Sequence, residues 1–506
     1  MKKSCPMSAV AGLTIFTLVM CGCQGLKSDP TLTTTPPPAA LQSINHIVVM
    51  AQENRSFDTY FGQLPAYWAA NGYPSQALNG MPANASNPAY QGPGSVSAFH
   101  LATQCMDNLS PSWNESHVDW NRSAPTSSTP MMDGFVYNAA KFANDENAGG
   151  ANPPFTDLTG ARAMGYYDGT DLNYYYYMAS NFATSDNWFS PAMDRTQVNR
   201  LYLYAATSQG YAYPPGTVPA DSFPLTAPTI FDSLNTAGIS WKIYATDNTC
   251  PTGVTGDHSP GGISMRSDAT TAGSTGFCTY LTQFQNYAPP NLLPANVVDA
   301  SEFLTDAAAG TLPAVSFIEP GYLIRPGDSS SLDEHPSSGT DAQAGAAYVE
   351  SLINGLMAST SWKDSVFILT YDEAGGTYDH VPPVAMPNPD GIAPIDLAPT
   401  DICGSQSSGG VNCDFNYTGF RVPLLVVSPF TNKNYVSHTP ADYTAVLTLI
   451  EKRFGLQPLT QRDKAQMDMT EFFDFQTTPW ATPPSPSQIP QQNTSGACNS
   501  AVLGNR

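Results

Sequence analysis

HIVVMAQENRSFDTYF, residues 46–61, begins as a strand and stops on an acid, an amide and a guanidinium. The run 46–51 is continuously apolar after its histidine, the pattern of a strand covered on both faces in a parallel sheet flanked by helices. A loop after such a strand usually takes Gly, Pro, Asn, Asp or Ser. Glu53-Asn54-Arg55-Ser56-Phe57-Asp58 is a poor turn formula and a good ligand set. Two readings stand here, a solvated loop and a cluster of oxygen ligands.

Similar apolar runs recur at 241–245, 314–318, 366–370 and 423–427, and helix-period apolar positions fill 198–208, 342–357 and 443–454, the last stopped by Gly455. Strand and helix in alternation predict an α/β fold with a doubly wound, mostly parallel central sheet. The Gly/Pro/Ser/Asn-rich stretches 62–91 and 251–276 are expected as long loop insertions. Ligands of open α/β sheets bind beyond the carboxyl ends of the strands, so the residues that follow each strand carry the chemistry.

The 366–370 run leads into Tyr371-Asp372-Glu373-Ala374-Gly375-Gly376. Adjacent acids at a buried strand end need compensation. Glu53, Asn54, Asp372 and Glu373 form a hard-oxygen set suited to a divalent cation, although an Asp-Glu-x-Gly-Gly segment is also an ordinary turn. Thr196, in Asp194-Arg195-Thr196-Gln197-Val198-Asn199-Arg200, starts a tyrosine-rich helix. It reads either as a helix cap or as a cation-activated nucleophile whose anion the helix dipole favours. His117, His335 and His380 supply acid/base candidates, whereas His46, His100 and His438 read as structural or exposed.

The chain has 506 residues and a formal charge of −22. Lys2 and Lys3, the apolar run 9–20 and Gly22-Cys23 predict a signal peptide over 1–22, either of lipoprotein type with Cys23 lipidated or an ordinary secretory signal. Its loss removes two lysines and no acid, taking −22 to −24. A Pro/Thr-rich tether is expected over 23–42, a catalytic domain over 43–480 and a C-terminal tail over 481–506. Such acidity argues against a nucleic-acid partner and against adsorption to anionic lipid, so membrane contact is expected through the lipid anchor of an extracytoplasmic protein. Cys105, Cys250, Cys278, Cys403, Cys413 and Cys498 accommodate up to three disulfides in an oxidising compartment; Cys250–Cys278 and Cys403–Cys413 would each close a local loop. The aromatic residues Tyr166-Tyr167, Tyr174 to Tyr177 and Trp188-Phe189 read as core before they read as an apolar rim for lipid.

INHIVVMAQENRSFDTYFG, SWNESHVDWN, MGYYDGTDLNYYYYMAS, RTQVNRLYLYAATS, LPAVSFIEPGY, DEHP, FILTYDEAGGTYDHVPPV and GFRVPLLVVSPF occur in an order that resembles the bacterial phosphoesterases that include non-haemolytic phospholipases C and acid phosphatases. The resemblance implies an alkaline-phosphatase-like fold, a phosphate ester or phospholipid substrate and a divalent metal ion. It implies Glu53, Asn54, Asp372 and Glu373 as metal ligands, Thr196 as nucleophile, and His117 and His335 as groups that hold phosphoryl oxygens or protonate the leaving group. Asn199, Arg200 and His380 are expected to bind substrate. The implied course is attack by Thr196, departure of the alcohol, and hydrolysis of a phosphothreonine. Asp194-Arg195 replaces the family's usual Gly-Pro, Val198 the following Pro, and Pro111 and Ala374 stand where many phospholipase members carry histidine, departures that imply a changed leaving-group pocket. The alternative from another class is a non-catalytic surface lipoprotein that binds phosphorylated ligands. Sulfatase chemistry would want a Cys or Ser in 194–200, where neither occurs.

Overall fold

The computed structural model describes residues 40–215, 225–246, 279–288, 295–320, 332–336, 341–404 and 412–504, which belong to one compact unit. The signal segment 1–22, most of the tether, the 251–276 insertion and Cys250 and Cys278 lie outside them.

The quoted stretch forms β1 (His46–Gln52), and Ile47, Val48, Val49 and Met50 have no exposed surface. The other strands of the main sheet are β2 (Ala183–Ser185), β3 (Trp241–Ala245), β4 (Val297–Asp299), β5 (Val315–Glu319), β6 (Ser365–Tyr371), β7 (Leu425–Val427) and β8 (Tyr435–Ser437). Their spatial order is β8-β2-β7-β6-β1-β5-β3-β4. From β6 through β1, β5 and β3 to β4 every pairing is parallel, and only β7 runs against its neighbours β6 and β2. The mostly parallel α/β sheet expected from the apolar runs is therefore present. Its central strands are continuous runs because both faces are covered, and each fully buried Val, Ile, Leu or Phe contributes about 1.5–3 kcal/mol.

Helices α1 (Phe57–Phe61), α2 (Trp113–Trp120), α3 (Asn173–Asn181), α4 (Thr196–Ala205), α5 (Ala342–Met357) and α6 (Ala445–Phe454) are the ones that bear on function. Asp341 caps α5 by accepting from the amides of Gln343 and Ala344, and Gly455 ends α6 in the left-handed conformation. Tyr174, Tyr175 and Tyr176 on α3, with Tyr167, Trp188 and Phe189, are buried, so these aromatics are core. The stretch 62–91 is not all loop: it holds a helix Leu64–Asn71, for which Pro65 is a compatible starter and Gly72 a left-handed stop. Disulfides join Cys403 to Cys413, as the short spacing suggested, and Cys105 to Cys498 across 393 residues. Beside the second, the Gln104 amide donates to the Ala497 carbonyl and the Ala102 amide to Leu503, which binds the final residues to the body of the domain. Among the described residues no helix is long and apolar enough to cross a membrane.

Candidate active site

The register of β1 with β6 pairs Gln52 with Tyr371. The next residues along the two parallel strands, Glu53 and Asp372, are thus brought side by side at the carboxyl edge of the sheet. The Asp372 amide donates to the Gln52 carbonyl at 3.0 Å, and Asp372 Oδ1 accepts from the amides of Asn54 at 2.9 Å and Glu373 at 2.7 Å. Asn54 sits at φ 62°, an uncommon conformation that asparagine tolerates better than most residues. Gly375, at φ 69°, lies so close that a Cβ there would come within 2.2 Å of the Asn54 carbonyl oxygen. Glu53, Asn54, Asp372 and Glu373 are all at most 2% exposed.

Thr196 is the first residue of α4, and Arg195 occupies the N-cap position without a side-chain cap. Thr196 is therefore not the helix cap. Its Oγ1 lies 3.3 Å from both Glu53 Oε2 and Asn54 Oδ1. One turn on, Arg200 makes an ion pair with Glu53 Oε1 at 2.9 Å and approaches Asp372 Oδ2 at 3.5 Å. It also donates to the carbonyls of Ala51 and Gln52 at 3.0 and 3.3 Å. Arg200, expected to meet substrate, clamps the end of β1 and offsets its acids. Asn199 folds back to donate to the Asp194 carbonyl at 2.7 Å and accept from the Ala192 amide at 2.9 Å, which shapes the turn before Thr196.

Three buried carboxylates meet one paired arginine in this cluster. Burial first, then the Asp372 charge, pushes Glu53 and Glu373 well above the usual carboxylate range. Asp372 Oδ2 and Glu373 Oε1 are buried without a hydrogen-bond partner. A divalent cation would supply the missing compensation, and Glu53, Asn54, Asp372 and Glu373 have the oxygen chemistry to hold one.

His335 joins this edge because the Glu53 amide donates to the Asp333 carbonyl at 2.8 Å. Its Nδ1 donates to the Pro336 carbonyl at 2.9 Å, which leaves Nε2 as the acceptor, and burial lowers its pKa to about 4. His335 is thus neutral at neutral pH. His117 is not brought to the cluster: its ring nitrogens lie 2.6 Å from the Trp113 carbonyl and 3.1 Å from that of Asn412, and burial lowers its pKa. His380 stands in a separate group, 2.7 Å from Asp58.

Arg55 is explained by the fold. Its Nε and Nη2 donate to the Glu334 carbonyl at 3.0 and 2.7 Å. The Glu334 carboxylate accepts from Tyr60, Tyr175 and Tyr371 at 2.7, 2.5 and 2.9 Å. This network holds the strained Glu334, at φ 67°, and hence the neighbouring His335. Nothing in the sequence announces it, because the tyrosines come from α1, α3 and β6, far apart along the chain.

Among the described residues, two tighter acid–histidine groups, with ligand atoms within 4.8 Å of one another, are Asp58/Asp379/His380 and His100/Asp168/Asp171. Arg421 already neutralises the first, at 2.9 Å from Asp58 and 2.8 Å from Asp379. The second is partly exposed and bound within itself, His100 to Asp171 at 2.6 Å.

A model of the phosphoesterase family matches residues 44–457. Phospholipase C B of Mycobacterium tuberculosis is 30% identical over 490 residues, covering 90% of this chain and 81% of that protein. Non-hemolytic phospholipase C of Burkholderia pseudomallei is 27% identical over 454 residues, covering 82% of this chain and 56% of the relative. Among solved structures, a protein of the alkaline phosphatase superfamily from Vibrio parahaemolyticus is 12% identical with a TM-score of 0.31, covering 80% of this chain and 78% of its own.

Proposed function

Because the chain belongs to the phosphoesterase family and is a phosphoric ester hydrolase, we propose that it is a metal-dependent enzyme of phospholipase C or acid phosphatase type working through a phosphothreonine. The observation that carries this reading is Thr196 Oγ1 at 3.3 Å from both Glu53 and Asn54, beside two buried carboxylate oxygens that accept no hydrogen bond from any described residue. Glu53, Asn54, Asp372 and Glu373 would hold the cation, which when bound supplies Lewis-acid polarisation of the phosphoryl group and lowers the cost of an alkoxide.

Of the two oxygens that face Thr196 Oγ1, only the Glu53 carboxylate is basic, so it takes the hydroxyl proton as Oγ1 attacks phosphorus. The bond from phosphorus to the ester oxygen breaks, the alcohol leaves with a proton from solvent, and phosphothreonine forms; the proton taken by Glu53 returns to Oγ1 in the second step. There water cleaves the phosphothreonine and restores the hydroxyl. His335, neutral with Nε2 as acceptor, is the histidine suited to orient the attacking water by accepting its hydrogen bond. Arg200 and Asn199 position the acids and the Thr196 turn, while His117 and His380 act through the surrounding loops. The proposal extends to an extracytoplasmic setting, with a lipid on Cys23 and a catalytic domain over 43–480.

The test is hydrolysis of a chromogenic phosphate monoester and a phosphocholine diester, with and without chelator. Activity should vanish with chelator and in Thr196→Ala, and Glu53→Gln and Asp372→Asn should lose bound metal by elemental analysis. Full activity of Thr196→Ala would eliminate the phosphothreonine.

A further inference from the structure

The arginines around the cluster divide into those engaged by side chains or carbonyls of the described residues and one, Arg195, that is not. Arg55 donates to the Glu334 carbonyl, Arg200 to Glu53, and Arg421 to Asp58 and Asp379. Arg195 is different. Its backbone performs the local structural work: the amide donates to Asp194 Oδ1 at 2.8 Å and the carbonyl accepts from the Asn199 amide at 3.2 Å. Arg195 is partly buried and directly precedes Thr196, yet its guanidinium makes no hydrogen bond or ion pair with any described residue. Arg195 is the N-cap of the helix that Thr196 begins, and Thr196 Oγ1 lies 3.3 Å from both Glu53 and Asn54, so the Arg195 backbone stands one residue from the reacting edge.

The chemistry of the phosphoryl group gives this cation a specific use. A monoester carries close to two negative charges near neutral pH and three non-bridging oxygens; a diester carries one charge and two such oxygens. Once one oxygen is committed to the acid–amide cluster, a monoester leaves two for a guanidinium fork, and a diester leaves one. Bidentate, charge-assisted pairing is the geometry in which arginine differs most from lysine. The charge count agrees: Arg200, paired with Glu53 and Asp372, and a divalent cation would balance the three buried carboxylates, so a bound dianion needs a further cation.

We propose that Arg195 is the specificity-determining residue of the site, its guanidinium gripping two non-bridging oxygens and so favouring phosphate monoesters over diesters. The assignment rests on Thr196 marking where the phosphoryl group binds.

Full-length wild type, Arg195→Ala and Arg195→Lys are compared by kcat/KM on p-nitrophenyl phosphate and p-nitrophenyl phosphorylcholine. Inorganic phosphate binding is measured by titration calorimetry in parallel. Arg195→Ala is expected to lower monoester kcat/KM about thirtyfold, within the range of a charge-assisted hydrogen bond, and diester kcat/KM less than about threefold. Phosphate binding should weaken by a factor similar to the monoester loss, with Arg195→Lys intermediate. Equal loss on both esters, or unchanged phosphate affinity, overturns the proposal. A failed nucleophile assignment reads differently, as an active Thr196→Ala enzyme. Should wild type hydrolyse neither probe, calorimetry decides alone, and the same phosphate affinity in wild type and Arg195→Ala refutes it.

Discussion

Replacing Arg200 by methionine keeps most of the side chain's volume and removes its charge. Arg200 is 2% exposed and holds Glu53 at 2.9 Å, Asp372 at 3.5 Å, and the carbonyls of Ala51 and Gln52. Removing one partner of a buried ion pair costs about 3–5 kcal/mol, because the remaining charge is left without compensation. The two backbone hydrogen bonds add about 1 kcal/mol each, and proton uptake by the stranded acids takes part of the sum back, so a net loss near 4 kcal/mol is expected. With a urea m-value of about 3 kcal/mol/M, the unfolding midpoint falls by somewhat more than 1 M in chelator. In saturating divalent metal the deficit should shrink, since a cation among Glu53, Asp372 and Glu373 compensates the same charges. Arg200→Lys should recover part of the loss. A midpoint within about 0.2 M of wild type in chelator would refute the role of Arg200 as the compensating charge, and a deficit indifferent to metal would remove the cation from these ligands.

Gly375→Ala places a methyl group 2.2 Å from the Asn54 carbonyl at a backbone angle of φ 69°, so hydrolysis should fall more than about tenfold and metal content with it; normal metal content would show that the turn has slack. Burial and the Asp463 carboxylate push Glu451 from 4.5 up to about 10. The folded state then holds a proton that the unfolded chain releases, so this group erodes stability as pH rises from 4.5 towards 10. Glu451→Gln should therefore stabilise by about 2–3 kcal/mol at pH 7 and by more at pH 9, and a gain that does not vary with pH would contradict the linkage. Cys498→Ser frees the end of the chain from Cys105; about 2–4 kcal/mol of stability should be lost, with limited proteolysis near 495–504, and an unchanged cleavage pattern would count against the staple.

The central strands were legible because a strand buried on both faces has little choice but to be apolar throughout: 46–51, 241–245, 314–318 and 366–370 each became one, shifted by a residue or less. Short strands such as β2, β4 and β8 have three residues each and too little pattern to stand out. The acids at the ends of β1 and β6 were visible as misfits to turn chemistry, and the register then placed them side by side. Arg200 was harder to read. From the sequence it is a cation near a candidate nucleophile, and only the three-dimensional path shows its donors engaged with the ends of β1 and β6. His117 shows the same difficulty, since a histidine between two backbone carbonyls has the same local sequence as one that faces substrate. Arg55, unassigned from its neighbours, is explained by Glu334, which lies 279 residues away.

The Asn54 amide and the Asp372 carboxylate that accepts from it are 318 residues apart in the chain. Neither half of the cluster can therefore exist on a nascent or truncated polypeptide, whatever local structure it forms. A one-residue slip of β1 against β6 would turn Glu53 to the opposite face and part it from Asp372. On the proposed assignment, catalytic competence requires β1 and β6 to be paired in this register. A chain interrupted before β6 would carry Glu53 and Asn54 without Asp372 and Glu373, half of the proposed ligand set and no hydrolytic power.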